Sequence, residues 1–142
     1  MERYLGIDLG EKRVGIAVSD PTLTIAQPLK TITFGKFKMF IGELEEIIKS
    51  LNVARIIVGL PLTLKGTYSQ KTREVIDMVE KMRTALAVPI ETYDERLTTV
   101  QAHQTLRQLG KKPSKERDKV DQLAAVHLLQ TYLDRQKYRR AT

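Results

Sequence analysis

The stretch from Tyr4 to Asp20, YLGIDLGEKRVGIAVSD, constrains this chain more than any other. Two apolar runs, Leu5 to Leu9 and Val14 to Val18, flank a polar turn of Gly10, Glu11, Lys12 and Arg13, which reads as a β-hairpin. A carboxylate, Asp8, lies inside the first run with Ile7 and Leu9 beside it and Gly6 and Gly10 just beyond. A charge placed in a segment that asks to be buried is costly unless it is matched. Either something cationic meets Asp8, or it caps a turn through backbone amides. The glycines would let a backbone or a ligand approach closely.

The remaining elements follow in order. Ala26 to Phe34 reads as a third strand with Pro28 near its start, completing a meander. From Lys36 to Leu51 apolar residues recur at three-and-four spacing, which predicts an amphipathic helix. Arg55 to Leu60 is apolar on both parities, as in a central strand covered on both faces, and the loop from Pro61 to Tyr68 carries Lys65 and Gly66. A helix is expected over Ser69 to Leu86 and a short strand over Pro89 to Tyr93. Thr98 and Gln101 form a capping box for a helix ending near Leu109 and closed by Gly110. A last helix is expected from about Lys115 to Gln136, with Val120, Leu123, Ala124, His127 and Leu128 turned inward. Three meandering strands followed by alternating helices and strands predict an α/β fold, a mixed five-stranded sheet with helices on both faces. At 142 residues one domain is expected, over residues 1–137, with a basic tail at 138–142.

Composition narrows the chemistry. The chain has no cysteine and two distant histidines, His103 and His127, which disfavours thiolate or imidazole metal sites and leaves oxygen ligands. No apolar run is long enough to cross a membrane and no N-terminal leader pattern is evident, so a soluble, cytoplasmic protein is expected. Of the net charge of +7, residues 1–95 contribute nothing, with 13 basic and 13 acidic side chains. Residues 96–142 hold 11 basic and 4 acidic ones, an asymmetry that suits a polyanionic partner or simply a solvated basic face.

The acids worth attention are those at strand ends and on the helix packed nearby. Asp94 and Glu95 follow the last strand, where ligands collect in open α/β sheets, although Asp94 could instead cap a helix or pair with Arg96. Asp118 and Asp121 are three apart on one helix, and the small pair Ala124 and Ala125 would let that helix lie close to the sheet. Asp118 sits among Lys115, Arg117 and Lys119, as a solvated surface charge would, and His127 reads as a core histidine. Carboxylates converging from separate elements can hold hard cations such as Mg²⁺, and a pair of such ions serves phosphodiester hydrolysis.

Four collinear segments, GIDLGEKRVGIAVSD, IVGLPLTLKG, DERLTT and KVDQLAAVHLLQTYL, together resemble the bacterial YqgF family, also called RuvX. The resemblance implies an RNase H-like fold, Mg²⁺ or Mn²⁺ as cofactor, and a nuclease that processes the 5′ end of the precursor of 16S ribosomal RNA or resolves Holliday junctions. It implies Asp8 and Asp121 as metal ligands. In the RuvC resolvases the middle acid ends the strand after the first helix, but here that strand ends at Gly59, so the DER segment must supply it. Adjacent strands lie about 4.8 Å apart, and Glu95 suits that reach better than Asp94. Lys12, Arg13, Lys65 and Arg96 are candidates to hold phosphates, with Lys111 and Lys112 extending the basic track. A junction resolvase would act as a symmetric dimer, whereas trimming RNA needs only a monomer. Two other classes compete. GIDLG also resembles the first phosphate loop of the actin, Hsp70 and sugar-kinase group, but no second glycine-rich phosphate loop is present. A non-catalytic RNA-binding module is the other, which the intact acids oppose.

Overall fold

A computed structural model describes residues 2–94 and 117–141. Five strands, β1 (Arg3–Leu9), β2 (Arg13–Ser19), β3 (Ala26–Thr33), β4 (Val53–Leu60) and β5 (Ile90–Asp94), form one sheet in the order β3-β2-β1-β4-β5. The first three pair antiparallel, and β4 and β5 join parallel, so the expected mixed sheet is present with β1 at its centre. The strand boundaries and those of the first two helices shift by at most two residues from those expected. Pro28 lies in edge strand β3, where the register against β2 slips between Ile16 and Ala17, a place where a missing amide is tolerated.

Helices α1 (Phe37–Leu51) and α2 (Gln70–Ala85) cover one face. The alternation of β1 and β2 sends Leu5, Ile7, Leu9, Val14, Ile16 and Val18 to that face, where they meet Phe40, Leu44, Val75, Val79 and Met82. Leu44 is fully buried, and a buried leucine contributes on the order of 2–5 kcal/mol against truncation to alanine. The chain leaves α1 through Asn52, whose left-handed backbone returns an amide to the Ile48 carbonyl. Helix α2 starts on a capping box in which Ser69 and Thr72 satisfy each other's backbone amides.

The last helix, α3 (Arg117–Ala141), covers the other face. Its buried stripe is Ala124, Ala125, Leu128, Leu129, Tyr132 and Leu133, packed on Ala17 and Ile57. Leu123 and His127, expected inside, are only half-buried, and the helix runs on through the basic residues expected to form a tail. The helix expected over 98–109 and the linker after it lie outside the described residues. Polar bonds fix α3 along its length. The Gln130 side-chain oxygen accepts from the Ala26 amide at 2.9 Å, and Gln122 Nε2 donates to Thr31 Oγ1 at 3.0 Å. Buried Tyr132 donates its hydroxyl to Glu91 on β5 at 2.7 Å and accepts from Arg55 on β4 at 3.0 Å, tying the helix to the parallel half of the sheet. No helix among the described residues is long and apolar enough to cross a membrane.

Burial holds His127 below the usual histidine range, so the folded state prefers the neutral ring. Its contribution is fully present above the unfolded value of about 6.5 and is lost as pH falls through the lower folded value. Thermal melts at pH 7.5 and 5.5 should therefore show a drop in midpoint that is smaller in His127→Gln; an equal drop in both proteins would remove His127 as its source.

Candidate active site

The site is built on the face of the sheet that carries the fewest side chains. Along β1 the residues turned toward α3 are Tyr4, Gly6 and Asp8, and along β2 they are Arg13, Gly15 and Ala17. Asp8 stands directly across from Gly15 in the antiparallel register. A Cβ built on Gly15 would lie 2.1 Å from the Asp121 carbonyl oxygen and 3.0 Å from the Asp121 Cβ, so the helix occupies the space a side chain would need. A Cβ on Gly6 would likewise meet the Leu129 Cβ at 2.8 Å. Two glycines thus let α3 lie against the sheet backbone, and the first to touch the strand ends is the turn bearing Asp121.

That contact bounds the distance between two acidic residues. Facing positions on paired strands have Cβ atoms about 4.5–5.5 Å apart, which brings the Cβ atoms of Asp8 and Asp121 to within about 8.5 Å by way of Gly15. From there both carboxyl groups can reach a common ion or a pair of ions roughly 4 Å apart. Both residues are half-buried, so each is accessible to a ligand from solvent.

Basic groups surround them. Arg13 Nε donates to Asp121 Oδ2 at 3.2 Å, with the two side chains 30% and 24% exposed. An ion pair this open to water contributes about 0.2–1 kcal/mol, so a stronger ligand for either partner can break it. Gly10, Glu11, Lys12, Arg13 and Asp121 line a cavity of about 340 Å³ at the hairpin tip. On the other side of the same turn a cavity of about 370 Å³ is floored by Leu9, Phe34, Val75 and Met78 and contains none of the candidate acids. Lys65 lies in the exposed loop after β4, a strand paired with β1, and that loop is closed by hydrogen bonds between Thr63 and Thr67.

The other sequence candidates divide. Asp94 pairs with Leu60 and keeps the parity of Ile90, which packs with the α1 and α2 face, and it is exposed there. Strand alternation therefore turns Asp94 away from the face that carries Asp8. Glu95, Arg96, Lys111 and Lys112 lie outside the described residues, as does the side chain of Asp118. Among the described residues no three His, Cys, Asp or Glu side chains cluster closely enough to hold a metal. Asp8 and Asp121 both offer hard oxygen donors, and Asp121 lines a solvent-open cavity, which suits Mg²⁺ or Mn²⁺ and not a softer ion. Sequence reasoning missed Gln122, whose bond to Thr31 sets the position of the turn holding Asp121; its only signal was a polar residue beside the acid.

Replacing Gly15 by alanine should push α3 off the sheet, costing about 1–3 kcal/mol of stability, as overpacking does. Urea unfolding would measure the loss, and an unchanged midpoint would contradict the close approach of Asp121.

Comparisons with known proteins identify the family and the fold. A profile of the RuvX family, described as Holliday junction resolvase, matches residues 2–135. A protein of Chloroflexus aggregans named "Putative pre-16S rRNA nuclease" is 41% identical over 133 residues, covering 94% of either chain. One of the same name from a Sulfurihydrogenibium species is 44% identical over 137 residues, covering 95% of this chain and 92% of its own. Among solved structures, Thermus thermophilus RuvC in complex with a Holliday junction superposes with a TM-score of 0.58 at 15% identity, covering 95% of this chain and 96% of its own. The yeast mitochondrial Holliday junction resolvase Ydc2 superposes with a TM-score of 0.59 at 13% identity, covering 99% and 81%. These likenesses at low identity establish the resolvase-type, RNase H-like fold, and the family match together with the relatives establishes that the chain is a member of the RuvX family of nucleases.

Proposed function

We propose that this nuclease is a Mg²⁺- or Mn²⁺-dependent endonuclease that hydrolyses phosphodiester bonds in structured nucleic acid, with the 5′ end of precursor 16S ribosomal RNA as its substrate. The observation that carries the reading is the seating of Asp121 on Gly15, directly across from Asp8. This convergence joins a strand acid and a helix acid beside a cavity rimmed by Lys12 and Arg13. The names of the relatives support the RNA substrate.

Asp8 and Asp121 would hold the cations. Glu95 is the proposed third ligand, because Asp94 ends its strand on the opposite parity. Cations held there would supply an activated water and neutralise the leaving oxygen. The chain's own part is to place the phosphate. Lys12 and Arg13 at the hairpin, and Lys65 on the neighbouring loop, lie on the same end of the sheet and would hold backbone phosphates without reading sequence. Arg96, Lys111 and Lys112 would extend that track. We place the protein in the cytoplasm, where ribosomal RNA is processed, and a monomer suffices for that cut.

The family description favours a second reading, resolution of four-way DNA junctions. A backbone-directed site serves either substrate, and a symmetric cut across a junction would need two copies acting together.

Asp8→Asn should cut at least about 100-fold more slowly than the parent in Mg²⁺ or Mn²⁺, since losing a direct ligand costs more than losing an outer partner. Cleavage would be followed on a precursor 16S 5′-end RNA and on a four-way DNA junction in parallel. Equal rates for variant and parent would remove the metal site, and cutting of the junction alone would replace the RNA reading by the second one.

A further inference from the structure

We infer that Arg13 couples cation binding to phosphate binding: its guanidinium contends with a divalent cation for the Asp121 carboxylate, and a substrate phosphate resolves the contest by drawing Arg13 away. The inference rests on the metal-site reading above and assigns Arg13 a positioning role within it.

Three observations carry it. Arg13 Nε sits 3.2 Å from Asp121 Oδ2, so one of the two oxygens offered to a cation is already donated to by a positive group. Arg13 also lines the cavity that a phosphodiester approaching Asp121 must enter, together with Gly10, Glu11 and Lys12. The same side chain therefore reaches both the acid and the substrate space. Finally, Arg13 shares the parity of Gly15 at the start of β2, with its backbone fixed by pairing to Thr33, so the guanidinium can turn between the two partners without moving the strand.

Charge decides the order of events. A cation on Oδ2 and a guanidinium bonded to that oxygen repel each other, which weakens whichever binds second. A phosphate offers the guanidinium a forked, charge-assisted pair that a shared carboxylate oxygen cannot. Phosphate in the cavity should thus release Asp121 to the cation. By reciprocity the cation should tighten phosphate binding by the same factor. Cation affinity would then be held low until nucleic acid arrives. Lys12, one residue earlier in the exposed turn, lacks the planar fork and is free to meet phosphate without releasing an acid.

The test is Mn²⁺ titration of the full chain, followed by the paramagnetic resonance signal of free Mn²⁺. Arg13→Gln and Arg13→Met should each bind Mn²⁺ about tenfold more tightly than the parent, an effect worth about 1.4 kcal/mol. Using both substitutions guards against a folding defect in one, and thermal melts report it. Fluorescence anisotropy of a labelled phosphorothioate RNA duplex supplies the second arm. Mn²⁺ should tighten duplex binding by the parent at least about fivefold and by either variant about twofold or less, a coupling within the usual range. Variants that bind Mn²⁺ no more tightly than the parent, or that keep the full coupling, would overturn the role of Arg13. Unchanged Mn²⁺ binding in Asp8→Asn would instead overturn the metal site itself, and the role of Arg13 with it.

Discussion

The structure depends on how closely one helix can lie against one sheet. Ordinary helix-on-sheet packing keeps a layer of side chains between the helix and the strands. Over Gly6 and Gly15 those side chains are absent, and the backbone of α3 at Asp121 and Ala125 comes against the strands themselves. The approach has consequences at both ends of the helix. Near its start Asp121 is delivered to the row of residues that contains Asp8. Further along, Leu128, Leu129, Tyr132 and Leu133 pack with Ala17, Ala26 and Ile57, and Tyr132 reaches Arg55 and Glu91 on the two parallel strands.

The two faces of the sheet are therefore unlike. The α1 and α2 face is a continuous apolar layer of Leu5, Ile7, Val14, Ile16, Ile56 and Val58, where stability resides. The α3 face is thin over Gly6 and Gly15 and polar at the hairpin end, where Arg13 and Asp121 pair and Asp8 stands across from Gly15. A carboxylate that would be costly in the first layer is tolerable in the second because it is half-exposed and cationic groups lie at hand. The separation leaves a polar end on the central strand without thinning the main core.

Much of this was legible in the residues. The hairpin, the three-and-four spacing of α1 and the double-sided apolarity of β4 each follow from local pattern, and local pattern matched the structure there. The glycines flanking Asp8 signalled close approach, although Gly15, the one that meets Asp121, was not singled out. Failure came where the answer depended on a partner's position. His127 has an apolar neighbourhood in sequence, but the helix is rotated so that Leu129 and Tyr132 face the sheet and His127 lies at the flank. The contact of Gly6 with Leu129 sets that rotation, and periodicity within the helix cannot reveal it. The side of the sheet on which Asp94 stands follows from its pairing with Leu60 and the packing of Ile90, which the local sequence does not carry. The partner of Arg13 lies 108 positions away and was out of reach of any local rule.

That distance along the chain also has a temporal meaning. Asp8 lies on the first described strand, whereas its neighbour across Gly15 belongs to the last described helix, with the other strands and helices between them in sequence. Contacts this remote in sequence form late, after the intervening strands and helices are in place. A chain emerging from the ribosome would carry the hairpin, its basic tip and the apolar layer well before it carried α3. Until α3 packs, the hairpin therefore presents Asp8 and its basic tip without the helix acid beside them.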